Sequence, residues 1–136
     1  MSLTRFRSTT LCDGAEYHYG TLVPAGTSLV YLAGACPIDA AGNTVALGDV
    51  AGQAHQVMAN LRVALAEAGV APAGVVRTTV YVASAHQADL VTAWNVHHDF
   101  FGEHEPPSTL VGVTCLGYDG QLVEVEAVAA IPAAPR

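Results

Sequence analysis

Lysine is absent from this chain of 136 residues, and charged residues of all kinds make up only 12% of it. Soluble domains usually carry about a quarter. All 5 basic residues are arginines, and 12 acidic residues outnumber them to give a formal net charge of −7. Without lysine, the chain cannot form a lysine Schiff base or a P-loop. The negative charge also disfavours a nucleic-acid partner, because a phosphate backbone needs a cationic surface.

Long hydrophobic runs and paired cysteines are missing as well. No apolar stretch approaches the roughly 18 residues that a membrane helix needs, and the first residues lack the apolar core of a signal peptide. The 3 cysteines, Cys12, Cys36 and Cys115, show no C-x-x-C spacing. An odd, unpaired set of this kind is typical of a reduced protein. We therefore expect a cytoplasmic location and no membrane partner.

Hydrophobic residues nevertheless account for 51% of the chain. A chain of this length can bury a core of its own, so we expect a single domain over residues 1–136. Because charges are scarce, much of the remaining apolar surface must be covered by something other than a membrane. The simplest solution is a homo-oligomer whose subunits cover each other's apolar faces.

Two stretches have the apolar spacing of amphipathic helices. Steps of three and four residues predict the first helix over Val50–Ala68, with Asp49 at its N-cap and Gly69 just past its end. The same periodicity predicts a second helix over Gln87–Phe101, which Gly102 ends.

The rest of the chain is rich in strand-forming residues. Turn residues between Tyr19–Val23 and Leu29–Ala33 predict that these two strands form a hairpin. Three further strands are predicted over Val75–Val82, Thr109–Thr114 and Leu122–Ile131. This order predicts an α+β domain in which two helices pack on one face of a mixed sheet. The helix-free face is then available for contacts between subunits.

Five short stretches follow one another in an order and spacing that are specific as a set. They are Gly34–Asp39, Gly48–Gln53, Val75–Val82, Phe100–Gly102 and Leu122–Ala127. Together they resemble the Rid family, the reactive intermediate deaminases that are also called the YjgF family. The resemblance extends roughly from Tyr19 to Ala129.

The resemblance implies a fold, an assembly and a chemistry. The fold would be chorismate-mutase-like, of the bacterial type, and the assembly a homotrimer with ligand clefts between neighbouring subunits. The best-known members of the family hydrolyse 2-imino or 2-enamino acids to 2-oxo acids and ammonia. They do so without a cofactor, so we expect a small-molecule ligand, no cofactor and no metal.

Two of the family's functional residues have counterparts in this chain. The glutamate of the last strand corresponds to Glu124, which could position a water molecule or accept a proton. We expect the neighbouring Glu126 to make a hydrogen bond at the surface or at the trimer interface. The family's tyrosine corresponds to Tyr19 if the following turn holds one inserted residue, and Tyr17 is the competing choice.

Other functional positions of the family carry different residues here. The serine before the hairpin glycine is replaced by Ala33, and the asparagine of the second helix by Trp94, with Asn95 adjacent. The position of the family's arginine is occupied by Ser108. Leu110 stands where some members have a cysteine. We expect these four residues to lie in the binding cleft together with the tyrosine.

The missing arginine decides the expected substrate. A guanidinium holds a carboxylate through two charge-assisted bonds, a pair worth about 2–5 kcal/mol when desolvated, and serine cannot replace it. We therefore expect a Rid-like hydrolase that acts on a reactive imine or enamine other than the standard 2-imino acids. The alternative is a non-catalytic trimer that binds a small molecule. Arg5, Arg7 or Arg77 could restore a cation from elsewhere in the chain, and Arg77 is the least favoured because it lies near the start of a strand and is expected to face solvent.

Three of the 6 histidines, His97, His98 and His104, lie near acidic residues at the end of the second helix. Zinc could use such ligands. However, His97 and His98 are consecutive on a helix and point about 100° apart. We therefore expect a cluster at the surface or at an interface.

Overall fold

The computed structural model describes residues 3–133. The first helix, α1, spans Val50–Glu67, and the second, α2, spans Gln87–Phe101. The strands are β1 (Thr4–Phe6), β2 (Gly20–Leu22), β3 (Ser28–Tyr31), β4 (Val75–Val82), β5 (Ser108–Gly112) and β6 (Val123–Ile131). Short 3-10 helices lie at Pro72–Gly74 and Gly102–His104.

Four strands form a mixed sheet in the order β3-β6-β4-β5, in which only β4 and β5 run parallel. Both helices contact one face of this sheet. Alternate residues of β6 (Val123, Val125, Ala127 and Ala129) are buried against the helices. The predicted α+β class with two helices on one face of a mixed sheet is confirmed.

The predicted hairpin between the second and third strands is wrong. Strand β2 pairs with β1 in a separate two-stranded sheet, and β3 pairs with β6. Strand β6 offers a long, continuous edge, so β3 can bury Val30 there opposite Ala129. Strand β2 is short and partly exposed, and it would cover less apolar surface.

The helix ends follow the predicted capping residues. The Asp49 carboxylate accepts a hydrogen bond of 2.9 Å from the amide of Gly52 at the start of α1. Gly69 (φ +77°) and Gly102 (φ +56°) adopt positive φ angles after the two helices, where a residue without a Cβ is favoured. Neither helix in the described part of the chain is long and apolar enough to cross a membrane.

Candidate functional site

A cavity of about 510 Å³ lies between α2, β5 and the segment before β2. Its wall combines polar residues with apolar and aromatic ones. The residues that line it are Glu16, Tyr17, Val91, Trp94, Asn95, Ser108, Thr109 and Leu110. The structure thus brings together three predicted ligand-binding residues, Trp94, Ser108 and Leu110, which are far apart in the sequence. Their role in binding stays a prediction.

The tyrosine that lines this cavity is Tyr17, and Tyr19 is not among the lining residues. The Tyr19 hydroxyl instead donates a hydrogen bond of 2.8 Å to the carbonyl of Cys12. The Tyr17 ring stands edge-on to Trp94, with 6.3 Å between ring centroids. The path of the loop before β2 therefore places Tyr17, the competing choice, at the cavity, and its role in binding stays a prediction.

A chain of hydrogen bonds leads from the cavity wall into the core. The Ser108 hydroxyl donates to the carbonyl of Pro106 (2.8 Å) and lies 2.6 Å from the Thr78 hydroxyl. The Thr78 hydroxyl lies 2.8 Å from His97 Nε2. Each hydroxyl has one proton, and a carbonyl can only accept. Because Ser108 donates to Pro106, Thr78 must donate to Ser108, and His97 Nε2 must donate to Thr78.

These donor and acceptor assignments also define the tautomer of His97. The imidazole carries its proton on Nε2, and Nδ1 is buried without a hydrogen-bond partner. Burial, together with a smaller effect of the neighbouring His98, lowers the pKa of His97 from 6.5 to about 4. His97 is therefore neutral at pH 7, as the hydrogen-bond chain requires.

The expectation of a surface or interface cluster is wrong for His97. Only 3% of this residue is exposed, and its ring packs between Trp94 and Phe101 with centroids 4.9 Å from each. The polar Thr78 lies at an inward-facing position of β4 and gives the imidazole a buried partner, which explains why a histidine is accepted there. In the described part of the chain, no group of three or more His, Cys, Asp or Glu side chains could hold a metal ion.

The predicted catalytic carboxylate, Glu124, lies on the helix-free face of the sheet. Its Oε1 accepts hydrogen bonds from Gln121 Nε2 (3.0 Å) and from the Cys36 thiol (3.3 Å). Burial and the hydrogen bond to Glu124 raise the pKa of Cys36 to about 11, so the thiol remains a donor at neutral pH. Two donors on one oxygen fix the orientation of the carboxylate.

The second oxygen of Glu124 lies against the backbone at Gly34, next to Ala33. Ala33 is exposed at this point, so the predicted binding residue accompanies Glu124 and does not line the cavity. Glu126, on the same face of β6, accepts a hydrogen bond of 2.5 Å from the Tyr81 hydroxyl. The two glutamates therefore have separate hydrogen-bond partners.

Within one chain, Glu124 and Ser108 lie on opposite faces of the sheet. Glu124 is paired with Tyr81 and Ser108 with Thr78, and these two β4 residues are three positions apart. Side chains alternate along a strand, so an odd separation places them on opposite faces. Strand β4 also separates β5 from β6. One chain therefore carries the cavity and the carboxylate in two separate places.

None of the three candidate arginines lines the cavity, although Arg77 donates a hydrogen bond of 3.0 Å to the hydroxyl of Thr109, which is a lining residue. Arg5 donates to the carbonyls of Ala73 (2.7 Å) and Val75 (2.6 Å) at the other end of β4. Arg7 forms an ion pair with Glu105 and donates to the carbonyl of Tyr17 at 3.1 Å, and it is not among the lining residues. Among the described residues, the one charged side chain in the cavity wall is the Glu16 carboxylate.

Sequence reasoning did not identify Glu16, the Thr78–His97 pair or the two donors to Glu124. The sequence did contain a signal for Thr78 and His97. Thr78 interrupts the valines at inward positions of a strand, and His97 interrupts an apolar helix stripe, so each needed a buried polar partner. Nothing in the sequence pattern pointed to Glu16, which reaches the cavity through an irregular segment.

Comparison with known proteins identifies the family. Residues 14–131 match a family model described as endoribonuclease L-PSP. A RutC family protein of Pyrococcus horikoshii is 33% identical over 111 residues, which cover 82% of this chain and 85% of that protein. A 2-iminobutanoate/2-iminopropanoate deaminase of Salmonella typhimurium is 33% identical over 105 residues, covering 75% of this chain and 79% of the enzyme. The chain belongs to the Rid (YjgF) family.

Solved structures agree with this assignment. A Rid-family protein of unknown function from Yersinia pestis has a TM-score of 0.86 and 27% identity, with 96% of this chain and 100% of that chain covered. The YjgF gene product from E. coli has a TM-score of 0.65 and 30% identity, with 88% and 90% covered. The fold of the described residues is that of the family.

The position of Gly34 leads to a first prediction. A Cβ atom at this residue would lie 2.7 Å from the Glu124 carboxyl carbon, so Gly34→Ala should displace the carboxylate. A flexible side chain can move at little cost, so we expect the imine hydrolysis proposed below to slow about tenfold, with a melting temperature close to that of the wild type. Enzyme assays and thermal melting test this prediction. The control is Gly117→Ala, where a Cβ meets open space; equal losses in both variants would contradict the account.

Proposed function

We propose that this protein hydrolyses a small imine or enamine at a cleft formed by two copies of the chain. The substrates would differ from the standard 2-imino acids, because Ser108 stands where the family has the carboxylate-binding arginine. One copy contributes the cavity around Ser108 and the other contributes Glu124. The observation that carries the proposal is the oriented Glu124 carboxylate, which two donors hold on a face of the sheet that no helix covers.

The helix-free face supports the assembly. Tyr31 is 76% exposed there, and a shallow depression beside it is lined partly by Leu32 and Val128. Exposed apolar surface of this kind is typical of an interface between subunits. We propose that this face packs against other copies in a homotrimer, which would bring Glu124 of one subunit near the cavity of its neighbour.

The chemistry follows from the oriented carboxylate. Glu124 accepts a proton from a water molecule as the water oxygen forms a bond to the carbon of the C=N group. The C=N π electrons move to nitrogen, which takes the proton back from Glu124. In the resulting carbinolamine the hydroxyl proton passes through Glu124 to the amino nitrogen, so the C=O bond forms as the C–N bond breaks and ammonia leaves. The cavity walls position the substrate and limit access of bulk water.

Ammonia release tests this function. The purified protein is incubated with enzymes that generate imines, such as an amino-acid oxidase acting on a panel of amino acids. Faster release of ammonia than in the spontaneous reaction supports the hydrolase. Ala33 and Ser108 replace two functional residues of the family, so a second candidate function is a non-catalytic trimer that binds a small molecule. It would show ligand-dependent thermal shifts and no acceleration with any substrate of the panel.

The variant Ser108→Arg tests why the standard substrates are disfavoured. We expect it to gain activity on 2-imino acids, because the guanidinium would supply the carboxylate anchor that the wild-type cavity lacks. The measurement is the rate of 2-oxo acid formation from a 2-imino acid. Ser108→Leu is the control, since it removes the hydroxyl without adding a cation. Unchanged activity in a folded Ser108→Arg variant would count against the position assigned to the arginine.

A further inference from the structure

Two polar groups of the cavity wall present hydrogen-bond acceptors to a ligand, the Ser108 hydroxyl and the Glu16 carboxylate. The proton of Ser108 is directed to Pro106, and the proton of Thr78 is directed to Ser108. A hydroxyl oxygen has two lone pairs, and only one of them is used by Thr78. The other is available to a ligand. Because His97 is neutral and donates into this chain, Ser108 presents an acceptor to the cavity.

The charge of the cavity wall is negative. Glu16 is a lining residue, and its side chain is 53% exposed. Its Oε1 accepts a weak hydrogen bond of 3.3 Å from Trp94 Nε1, and its Oε2 lies 3.4 Å from His98 Nδ1. His98 makes its shorter contact, of 2.9 Å, with Glu105. Glu16 therefore keeps lone pairs for a ligand.

The aromatic side chains add a second attraction for positive charge. Tyr17 and Trp94 stand edge to face beside Glu16, with an interplanar angle of 89°. An indole or phenol face attracts a cation within about 6 Å of its centroid, and the interaction strengthens when water is excluded. A cavity with two π systems, a carboxylate and a hydroxyl acceptor is complementary to a cation that carries N–H donors.

We propose that this cavity binds its ligand as a small organic cation, an ammonium, amidinium or protonated imine, with Glu16 as the residue that selects the charge. Ser108 accepts one N–H of the ligand, and the rings of Tyr17 and Trp94 cover it. This inference rests on the proposed function only where it connects cation binding to imine hydrolysis. A protonated C=N group is also more electrophilic at carbon than a neutral one, so binding the cation would favour attack by water.

Three planar probes of nearly equal shape test the charge preference. Benzamidine is a cation, benzamide is neutral, and benzoate is an anion. Trp94 is the single tryptophan of the chain, so its fluorescence reports binding at this cavity. We expect benzamidine to bind about tenfold more tightly than benzamide, with benzoate the weakest, and we expect added salt to narrow the difference.

The variant Glu16→Gln should bring benzamidine and benzamide to about equal affinity, because it keeps the shape of the side chain and removes the charge. Glu67→Gln makes the same change in net charge at the exposed end of α1 and should preserve the tenfold preference. The inference is overturned if benzamidine does not bind, if benzoate binds as well, or if Glu16→Gln keeps the preference. Because the probes bind without turnover, a cation preference without imine hydrolysis would overturn the proposed function alone.

Discussion

Replacing Glu124 by glutamine is expected to lower the rate of imine hydrolysis by about 10²–10⁴-fold, the usual contribution of a general base. Glutamine keeps the size of the side chain and an oxygen that can accept from Gln121 and Cys36. It cannot take a proton from water. We therefore expect a normal melting temperature and a loss that appears in kcat more than in KM. The assay is ammonia release under saturating substrate.

The chain provides a closely matched control in Glu126→Gln. Glu126 lies on the same strand and the same face as Glu124, but it accepts its hydrogen bond from Tyr81, whereas Glu124 accepts from Gln121 and Cys36. We expect its replacement to change the rate less than about threefold. If both variants lose activity equally, or if Glu124→Gln is fully active, Glu124 is not the base.

Stability should fall in acid because of His97. The folded state holds the pKa of this imidazole at about 4, whereas an exposed histidine has a pKa of 6.5. The unfolded chain therefore binds a proton that the folded chain excludes. Stability is fully present above about pH 6.5 and is lost as the pH falls toward 4, by about 3 kcal/mol in all. Urea unfolding at a fixed protein concentration, repeated across this pH range, measures the loss.

The variant His97→Gln separates this effect from general acid denaturation. Glutamine can still donate to Thr78 but does not titrate, so we expect a smaller decline between pH 6.5 and 4 even if the variant is less stable at pH 7. The exposed His55→Gln on α1 should keep the decline of the wild type. An unchanged pH dependence in His97→Gln would show that the buried imidazole is not its source.

Sequence analysis located best the helices and strands whose sequence signals lie within the element itself. The bounds of α2 and β4 match the prediction because apolar periodicity and the flanking turn residues lie within the same stretch of chain. Strand pairing is not local. The turn residues after β2 suggested a hairpin, whereas β3 buries more apolar surface against the distant β6.

The residues of the candidate site also fall into those that the sequence predicted and those that it could not predict. The resemblance to the family placed Ser108, Trp94 and Leu110 in one cleft, and the structure gathers them around one cavity. Tyr17, in contrast, reaches the cavity through an irregular loop whose path has no sequence signature. The connection from Ser108 through Thr78 to His97 joins three elements, so it could not be found before these elements were placed relative to one another.

The central claim is that two copies of the chain supply the two halves of each site. Mixing two inactive variants tests it. One variant is Glu124→Gln, which keeps the cavity, and the other is Leu110→Trp, which fills the cavity and keeps Glu124. In oligomers refolded from an equal mixture, each cleft has about one chance in four of joining two intact halves.

The account therefore predicts that the mixture recovers about a quarter of the wild-type activity, although each variant alone is inactive. A mixture no more active than its separate components would contradict the account, because it would place the complete site within one chain.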